Sequence, residues 1–432
     1  MLVRPCPHEH GRDRRVAGRW WCRSRSDGMI YGVIVSFDEQ FQADPYASWD
    51  KLRRSGPVHR AMTPDGAPVW VIVGDEHVRA LAADPRLTLD RRYSLRGYTG
   101  FSLPPDLDRN LLNMDGADHR RIRRQVAAGL TSRRVEVLGP AISAAAAELA
   151  TNLRIQLAGG APVDVIAEYA SPFALRVIAM ILGIPPADLS DFRGWTDELL
   201  APSSQSASAD AVRELHRYIR TLVERLRKEK EGSADSFLGG LVRDADNDPE
   251  RLSMEELTSA AFLLLFAGYE NTIRVIGNGL IAAADETGGL EMLRDALVER
   301  EFPRAVIDEL LRYDPPPQLA IRRFTREDVT IGGMGIARGE TVMLSWASAN
   351  RDPLVHSGAD QLRLDRCPNP HLTFGHGGHA CPGAALARME LNIGLATLFR
   401  EIPGFRLAAP TSHAWRSSFR NRGVTELPVA MQ

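Results

Sequence analysis

The sequence predicts one mainly helical domain carrying small β-sheets. Two patterns in its 432 residues lead there. Apolar residues recur at three- to four-residue intervals over 75–83, 117–130, 135–154, 164–182, 209–231, 254–284, 289–298 and 302–313, which is helical spacing. Short strand-like runs stand near the two ends, at Val69-Trp70-Val71-Ile72-Val73 and across 328–344. Composition agrees with a globular chain, 44% hydrophobic and 25% charged. The length alone allows two or three domains, or one large helical domain filled by a cofactor.

Residues 1–36 differ from the rest. Seven arginines there face only Glu9, Asp13 and Asp27, and no apolar segment follows them as in a secretory signal. The expectation is a basic, disordered extension, with Met29 as an alternative start and a single folded domain over 37–432. A zinc site from Cys6, His8, His10 and Cys22 would have irregular spacing. From Phe37 the chain reads as folded. Asp44-Pro45-Tyr46 opens an amphipathic helix that Gly56-Pro57 ends. Ser203 to Ser208 reads as a mobile polar loop between helices. Gly332-Gly333 and Gly339 mark turns among the later strands, residues 345–380 are irregular, and a last helix opens near Pro382 and runs to about Phe399.

Several function classes are excluded early. A net charge of −2 supplies no strong field for nucleic acid or an anionic membrane. The longest purely apolar run, Ala260 to Ala267, falls well short of the ~20 residues of a spanning helix, so no membrane anchor is expected. Four cysteines in a long chain do not make a disulfide scaffold, and they fit a reducing, cytoplasmic compartment.

The most informative stretch is Phe374-Gly375-His376-Gly377-Gly378-His379-Ala380-Cys381-Pro382-Gly383. Glycines without Cβ atoms let the backbone pass close to a flat ligand. Pro382 suits a first helical position, which puts Cys381 at a helix N-terminus where a thiolate is favoured. A zinc cluster of Cys367, His371, His376, His379 and Cys381 would match no usual finger spacing.

The stretch resembles the cysteine-ligand signature of the cytochrome P-450 family, Phe-x-x-Gly-x-[His/Arg]-x-Cys-x-Gly. The resemblance covers roughly residues 40–430 and is closest to the bacterial branch without a membrane anchor. It implies a fold in which haem b is buried between a long distal helix and the proximal cysteine-ligand helix. Carried over residue by residue, Cys381 is the axial thiolate ligand of the iron and Phe374 packs beside the sulfur. Gly375 shapes the loop, backbone N–H groups around Gly383 bond the sulfur, and His379 meets a haem propionate.

Other motifs fit the same family. Glu309 and Arg312 share a helical face just before Pro315-Pro316-Pro317, like the family's Glu-x-x-Arg, a structural pair that locks the core to the segment before the cysteine. Arg323 stands five residues before Asp328, where the family has a propionate-binding arginine; Arg322 is its immediate neighbour. His119 and Arg123, at i and i+4, are implied as further propionate partners, leaving other arginines of that helix for an acidic redox partner. Ala349-Asn350-Arg351-Asp352-Pro353 and Leu364-Asp365-Arg366 match the pre-cysteine segment.

Within 254–284, Ala267-Gly268-Tyr269-Glu270-Asn271-Thr272 resembles the family's oxygen-binding turn, Ala-Gly-x-[Asp/Glu]-Thr. A mid-helix glycine costs about 1 kcal/mol against alanine, which suggests room for a ligand there. The sequence departs from the family at one point: Asn271 holds the threonine position. Thr272, about 100° further round the helix, is a poor substitute. Glu270, Asn271 and Thr272 are the candidate catalytic residues, with Glu270 alternatively a salt-bridged structural acid.

The resemblance implies a monooxygenase, a hydroxylase or epoxidase acting on a bulky small molecule, plausibly a secondary metabolite. Electrons would come from a ferredoxin and its reductase, or from a flavodoxin-like donor. Segments around 93–106, 195–208, 263–271 and 316–320 would touch the substrate. Two alternatives stand beside it: oxidative coupling or peroxide-driven oxidation on the same fold, for which Asn271 is the motive, and a non-catalytic haem sensor or carrier.

Overall fold

A computed structural model describes residues 34–98, 103–200, 204–228, 236–247, 252–299, 303–409 and 413–431. Helices form its body. Among the described residues, strands form one six-stranded sheet, a three-stranded sheet and a two-stranded hairpin. The six-stranded sheet runs Ile34–Ser36, Val58–Met62, Pro68–Ile72, Thr341–Leu344, Arg323–Thr325, Leu87–Thr88. The folded domain therefore begins before residue 37, because Ile34–Ser36 pairs in parallel with Arg60–Met62. The rest of the basic extension, Met29 included, lies outside the described residues.

Local chemistry sets the element boundaries. Asp44 caps the helix Pro45–Ser55 by accepting from the N–H groups of Tyr46 and Ala47. That helix buries Trp49 completely, and its indole N–H donates to Gln318 Oε1 at 3.1 Å. The expected helix over 135–154 is two helices, Ser132–Glu136 and Gly139–Leu157, the second starting where Pro140 suits a first turn. The stretch 164–182 opens with a wide π-type turn, Ile166–Ala170, before the helix Ser171–Leu182. Gly183, at φ 69°, stops that helix in the left-handed region.

Of the stretch 203–208, read as a loop from its composition, residue 203 lies outside the described residues and the rest leads into a helix. Residues 205–208 form the first turn of the helix Gln205–Lys228, and Ser204 Oγ accepts from the N–H of Ala207 at 3.1 Å. Serine favours helix starts for this reason. Two helices give no clear signal in sequence, Leu189–Leu200 and Phe237–Asn247. Gly239 and Gly240 weaken the second, yet burial of Leu238, Leu241 and Val242 on one face holds it.

Two elements position the site. The distal helix, Met254–Ala284, spans the core as read from sequence. Its start is fixed reciprocally: Ser253 Oγ accepts from the N–H of Glu256, and Glu256 accepts from the N–H of Ser253. The proximal helix, Ala384–Glu401, opens two residues later than Pro382, with Gly383 at its cap. The two helices pack together, and Ser171–Leu182 packs against the distal helix.

Glu309 and Arg312 tie this core to the irregular segment. Both are fully buried, in a two-pronged pair of 2.7 and 2.8 Å. Arg312 also donates to the carbonyls of Asn350, Ala359 and Gln361. Arg366 adds a second guanidinium to Glu309 at 3.0 Å, while Asn369 and the N–H of Arg363 complete the carboxylate's shell. Each charge of this cluster is thus paired and hydrogen-bonded.

Candidate active site

The cysteine loop is shaped by its backbone. Gly375 and Gly377 adopt φ of 72° and 73°, open only to glycine without strain. A Cβ on Gly377 would also press on Ala83, at 3.1 Å. These glycines serve the turn and its packing, and a Cβ on Gly378 would meet nothing within 4 Å. The N–H of Cys381 donates to the carbonyl of Phe374 at 2.7 Å, closing the loop. Arg388 of the proximal helix lies 4.5 Å from the Phe374 ring centre and bonds Asp308 at 2.6 Å, which fixes the ring. No zinc cluster forms: among the described residues no three His, Cys, Asp or Glu side chains converge.

The Cys381 sulfur keeps an exposed face although protein surrounds it. Burial pushes its thiol up, outweighing the N–H of Gly383 and the charges of Arg123 and Arg388. The helix start alone does not make a thiolate here; a bound metal would be needed to remove the proton.

The distal helix packs on the proximal helix that follows Cys381. Ala267 is exposed in the middle of a helix whose next turns are buried, and Leu263 and Asn271 flank it at four-residue spacing. These three residues fall on one side of the helix. A Cβ on Gly268 would lie 2.5 Å from Ile178 Cδ1, the mobile end of that side chain, so the glycine also suits the packing of the two helices. Asn271 donates from Nδ2 to the carbonyl of Ala267 at 3.0 Å and leaves its Oδ1 buried without a partner.

The other two candidates of this turn point elsewhere. Thr272 donates to the carbonyl of Gly268 and sits 3.3 Å from Glu390 of the proximal helix. Glu270 is held by Arg274 and Arg416 and accepts from Asn421 at 3.2 Å. Its geometry is that of a fixed, paired anion rather than a free proton donor, and Thr272 is turned from the open stripe.

The implied propionate partners gather in one place. The rings of His119 and His379 are 4.1 Å apart. His119 Nε2 and Arg323 Nε are buried without partners. Burial first, then His379 and Arg123, push the His119 imidazole down to about 4, so it is neutral near pH 7. Arg123 donates to the carbonyl of Ala380. Sequence reasoning missed Asp115, which organises the group by accepting from His379 at 2.8 Å, from Thr88 and from the N–H of Leu89. Burial raises its carboxyl, but those donors together hold it well below the carboxylate range. Its place directly before the helix Gly116–Gly129 signalled a cap, not a histidine partner.

Buried, partnerless donors on His119 and Arg323, an exposed Cys381 and an exposed Ala267 within the otherwise mostly buried distal helix are what a flat, anionic, iron-bearing ring would engage, so these residues fit haem. The comparisons agree. A family model described as cytochrome P450 matches residues 196–425. The chain is 36% identical over 396 residues to vitamin D(3) 25-hydroxylase of Pseudonocardia autotrophica, covering 91% of this chain and 96% of that one.

The chain belongs to the cytochrome P450 family.

This P450 is likewise 36% identical to mycinamicin IV hydroxylase/epoxidase of Micromonospora griseorubida, over 88% of its own length and 94% of the relative's. Its fold matches the ligand-free P450 monooxygenase TamI with a TM-score of 0.83 and 36% identity, covering 93% and 94% of the two chains. It is a P450 monooxygenase with the helical, small-sheet fold of that family. No described helix is long and apolar enough to cross a membrane.

Proposed function

We propose that this P450 hydroxylates or epoxidises a bulky small molecule of secondary metabolism, using electrons from a ferredoxin-type or flavodoxin-like partner. The observation that carries the reading is Cys381, exposed at the start of the proximal helix, together with the buried, partnerless His119 Nε2 and Arg323 Nε beside the cysteine loop. The hydroxylase and epoxidase activities named for the relatives support it.

Haem, when bound, supplies oxygen activation, with thiolate ligation favouring O–O cleavage. The chain's own groups do the rest. Cys381 gives its sulfur, steadied by the N–H of Gly383. His119, Arg123, Arg323 and His379 would hold the carboxylates. The exposed Ala267 would leave room beside the group. Asn271 Oδ1, buried without a partner, would accept a hydrogen bond from a water or a substrate hydroxyl and so orient that donor. Arg120 and Arg124 stay exposed on the helix Gly116–Gly129, on a face suited to an acidic donor protein.

Carbon monoxide added to the reduced protein should give the red-shifted Soret band of thiolate ligation. Turnover under labelled oxygen should place one labelled atom in the product. Product formed without label would favour the coupling reading, for which the hydroxyl-free stripe at Asn271 is the motive. A haem protein that never turns over would be a sensor or carrier.

A further inference from the structure

Asp308, in the helix Pro303–Tyr313, is a buried acid that holds two residues flanking the cysteine loop. Its Oδ1 accepts from Arg388 Nε at 2.6 Å and from His371 Nε2 at 3.2 Å. The N–H of Thr373 donates to His371 Nδ1 at 3.3 Å, so that nitrogen carries no proton and Nε2 does. His371 therefore adds no charge of its own. Burial raises the Asp308 carboxyl, and the donors His371 and Arg388 more than reverse this, so it is an anion near pH 7.

Both partners lead to the cysteine. The His371 and Phe374 ring centres are 5.7 Å apart, and the Arg388 guanidinium carbon is 4.5 Å from the Phe374 ring centre. The Phe374 carbonyl accepts from the N–H of Cys381 at 2.7 Å. Arg388 stands about two helical turns after Cys381, but its side chain folds back. Its Nη1 donates to the carbonyl of Ala384, the first residue of the proximal helix, at 3.4 Å. The guanidinium is thus held near the start of that helix, and its charge reaches the Cys381 sulfur. Arg304 meets the other Asp308 oxygen at 3.5 Å, but it is mostly exposed and water screens it. Arg388 is the buried cation that Asp308 answers.

A cation near the sulfur, and an anion that offsets it, act on the charge of a bound iron. Reduction adds one electron, so iron, ring and thiolate together gain one negative charge. A nearby cation favours that reduced state and a nearby anion opposes it, most strongly where water is excluded.

We propose that Asp308 is a positioning residue for the proximal side: it orients Arg388 at the start of the proximal helix and offsets its charge, which keeps the reduction potential of the iron low. The proposal rests on the haem-thiolate reading of Cys381.

The test is a potentiometric titration of the substrate-free holoprotein with dithionite and redox mediators. Asp308→Asn, which keeps the shape and removes the charge, should shift the ferric–ferrous equilibrium at least about threefold toward ferrous, roughly 30 mV at 59 mV per tenfold. Arg388→Gln should shift it toward ferric by a similar factor. The double variant Asp308→Asn/Arg388→Gln should return close to wild type, because the two charges cancel. A merely structural role would move both single variants the same way and the double variant further. No shift in either single variant, shifts of one sign, or a double variant that does not return overturns the proposal. If Asp308→Asn retains no haem, Arg388→Lys against Arg388→Gln decides: lysine must keep the wild-type potential and glutamine must lower it, and any other result overturns the proposal. The ferrous carbonyl band of the wild type tests the underlying reading separately. Without the thiolate band that reading fails and the proposal with it, whereas a thiolate band with unmoved potentials removes only the role of Asp308.

Discussion

Glu390 lies fully inside the proximal helix packing, with Thr272 as its hydrogen-bond neighbour and one oxygen unpartnered. Burial raises its carboxyl from 4.5 to about 8. Between those values the unfolded chain ionises while the folded chain keeps its proton, so stability falls as pH rises through the window and levels off above it. Glu390→Gln removes the dependence. Its stability advantage over the wild type should grow between pH 5 and 8 to a few kcal/mol, on the order of 1.4 per unit, in urea titrations. A constant difference would mean that Glu390 is already ionised. At the cysteine, Cys381→His should shift the ferrous carbonyl band to that of a histidine-ligated haem; an unchanged band removes Cys381 from the ligand role. Asn271→Ala should lose the acceptor at Oδ1 and with it up to about 10²-fold in coupled turnover, releasing hydrogen peroxide, while Asn271→Thr keeps much of the activity. If Asn271→Ala lowers only the melting temperature, the side chain is a brace for the Ala267 carbonyl.

At the scale of elements, the helices that sequence reads well are those with a marked start and a long apolar pattern. The distal helix is marked at its start by Ser253 and Glu256 and along its length by apolar residues, so its ends are legible. Leu189–Leu200 and Phe237–Asn247 are not, because tertiary packing supplies what glycines and polar residues withhold. The site follows the same division. Cys381, His379, His119 and Arg323 were visible through motif spacing. Asp115 and Glu390 were not, since their meaning depends on partners far away in the chain. Gly268 was visible, and the structure adds that a Cβ there would meet Ile178. The Glu309–Arg312 pair holds three segments through one guanidinium, so Arg312→Lys cannot replace it. Breaking such a buried pair typically costs about 3–5 kcal/mol, and Arg312→Lys should therefore yield protein with little bound haem and an early urea midpoint. Normal haem content would show the carbonyl contacts to be dispensable.

For the whole molecule, the strand Ile34–Ser36 decides where the folded domain begins. Deleting residues 1–28 should leave haem content and melting temperature unchanged. Deleting residues 1–36 removes an edge strand and the buried Val35, and should lower the melting temperature by several degrees. Equal melting of the two truncations would make that strand incidental.

The six-stranded sheet also sets a timetable. Trp70 pairs with Val342, so the hairpin Val58–Ile72 leaves the ribosome long before its neighbour exists. At about 5–20 residues per second, the wait is on the order of 10–60 s. During it, the apolar edge of Pro68–Ile72 is a free template for any other strand. Helical contacts between Gly139 and Ala284 are local by comparison and close first. The cysteine loop emerges after Val342, when the sheet can already be complete, so the proposed iron ligand is among the last residues to be placed.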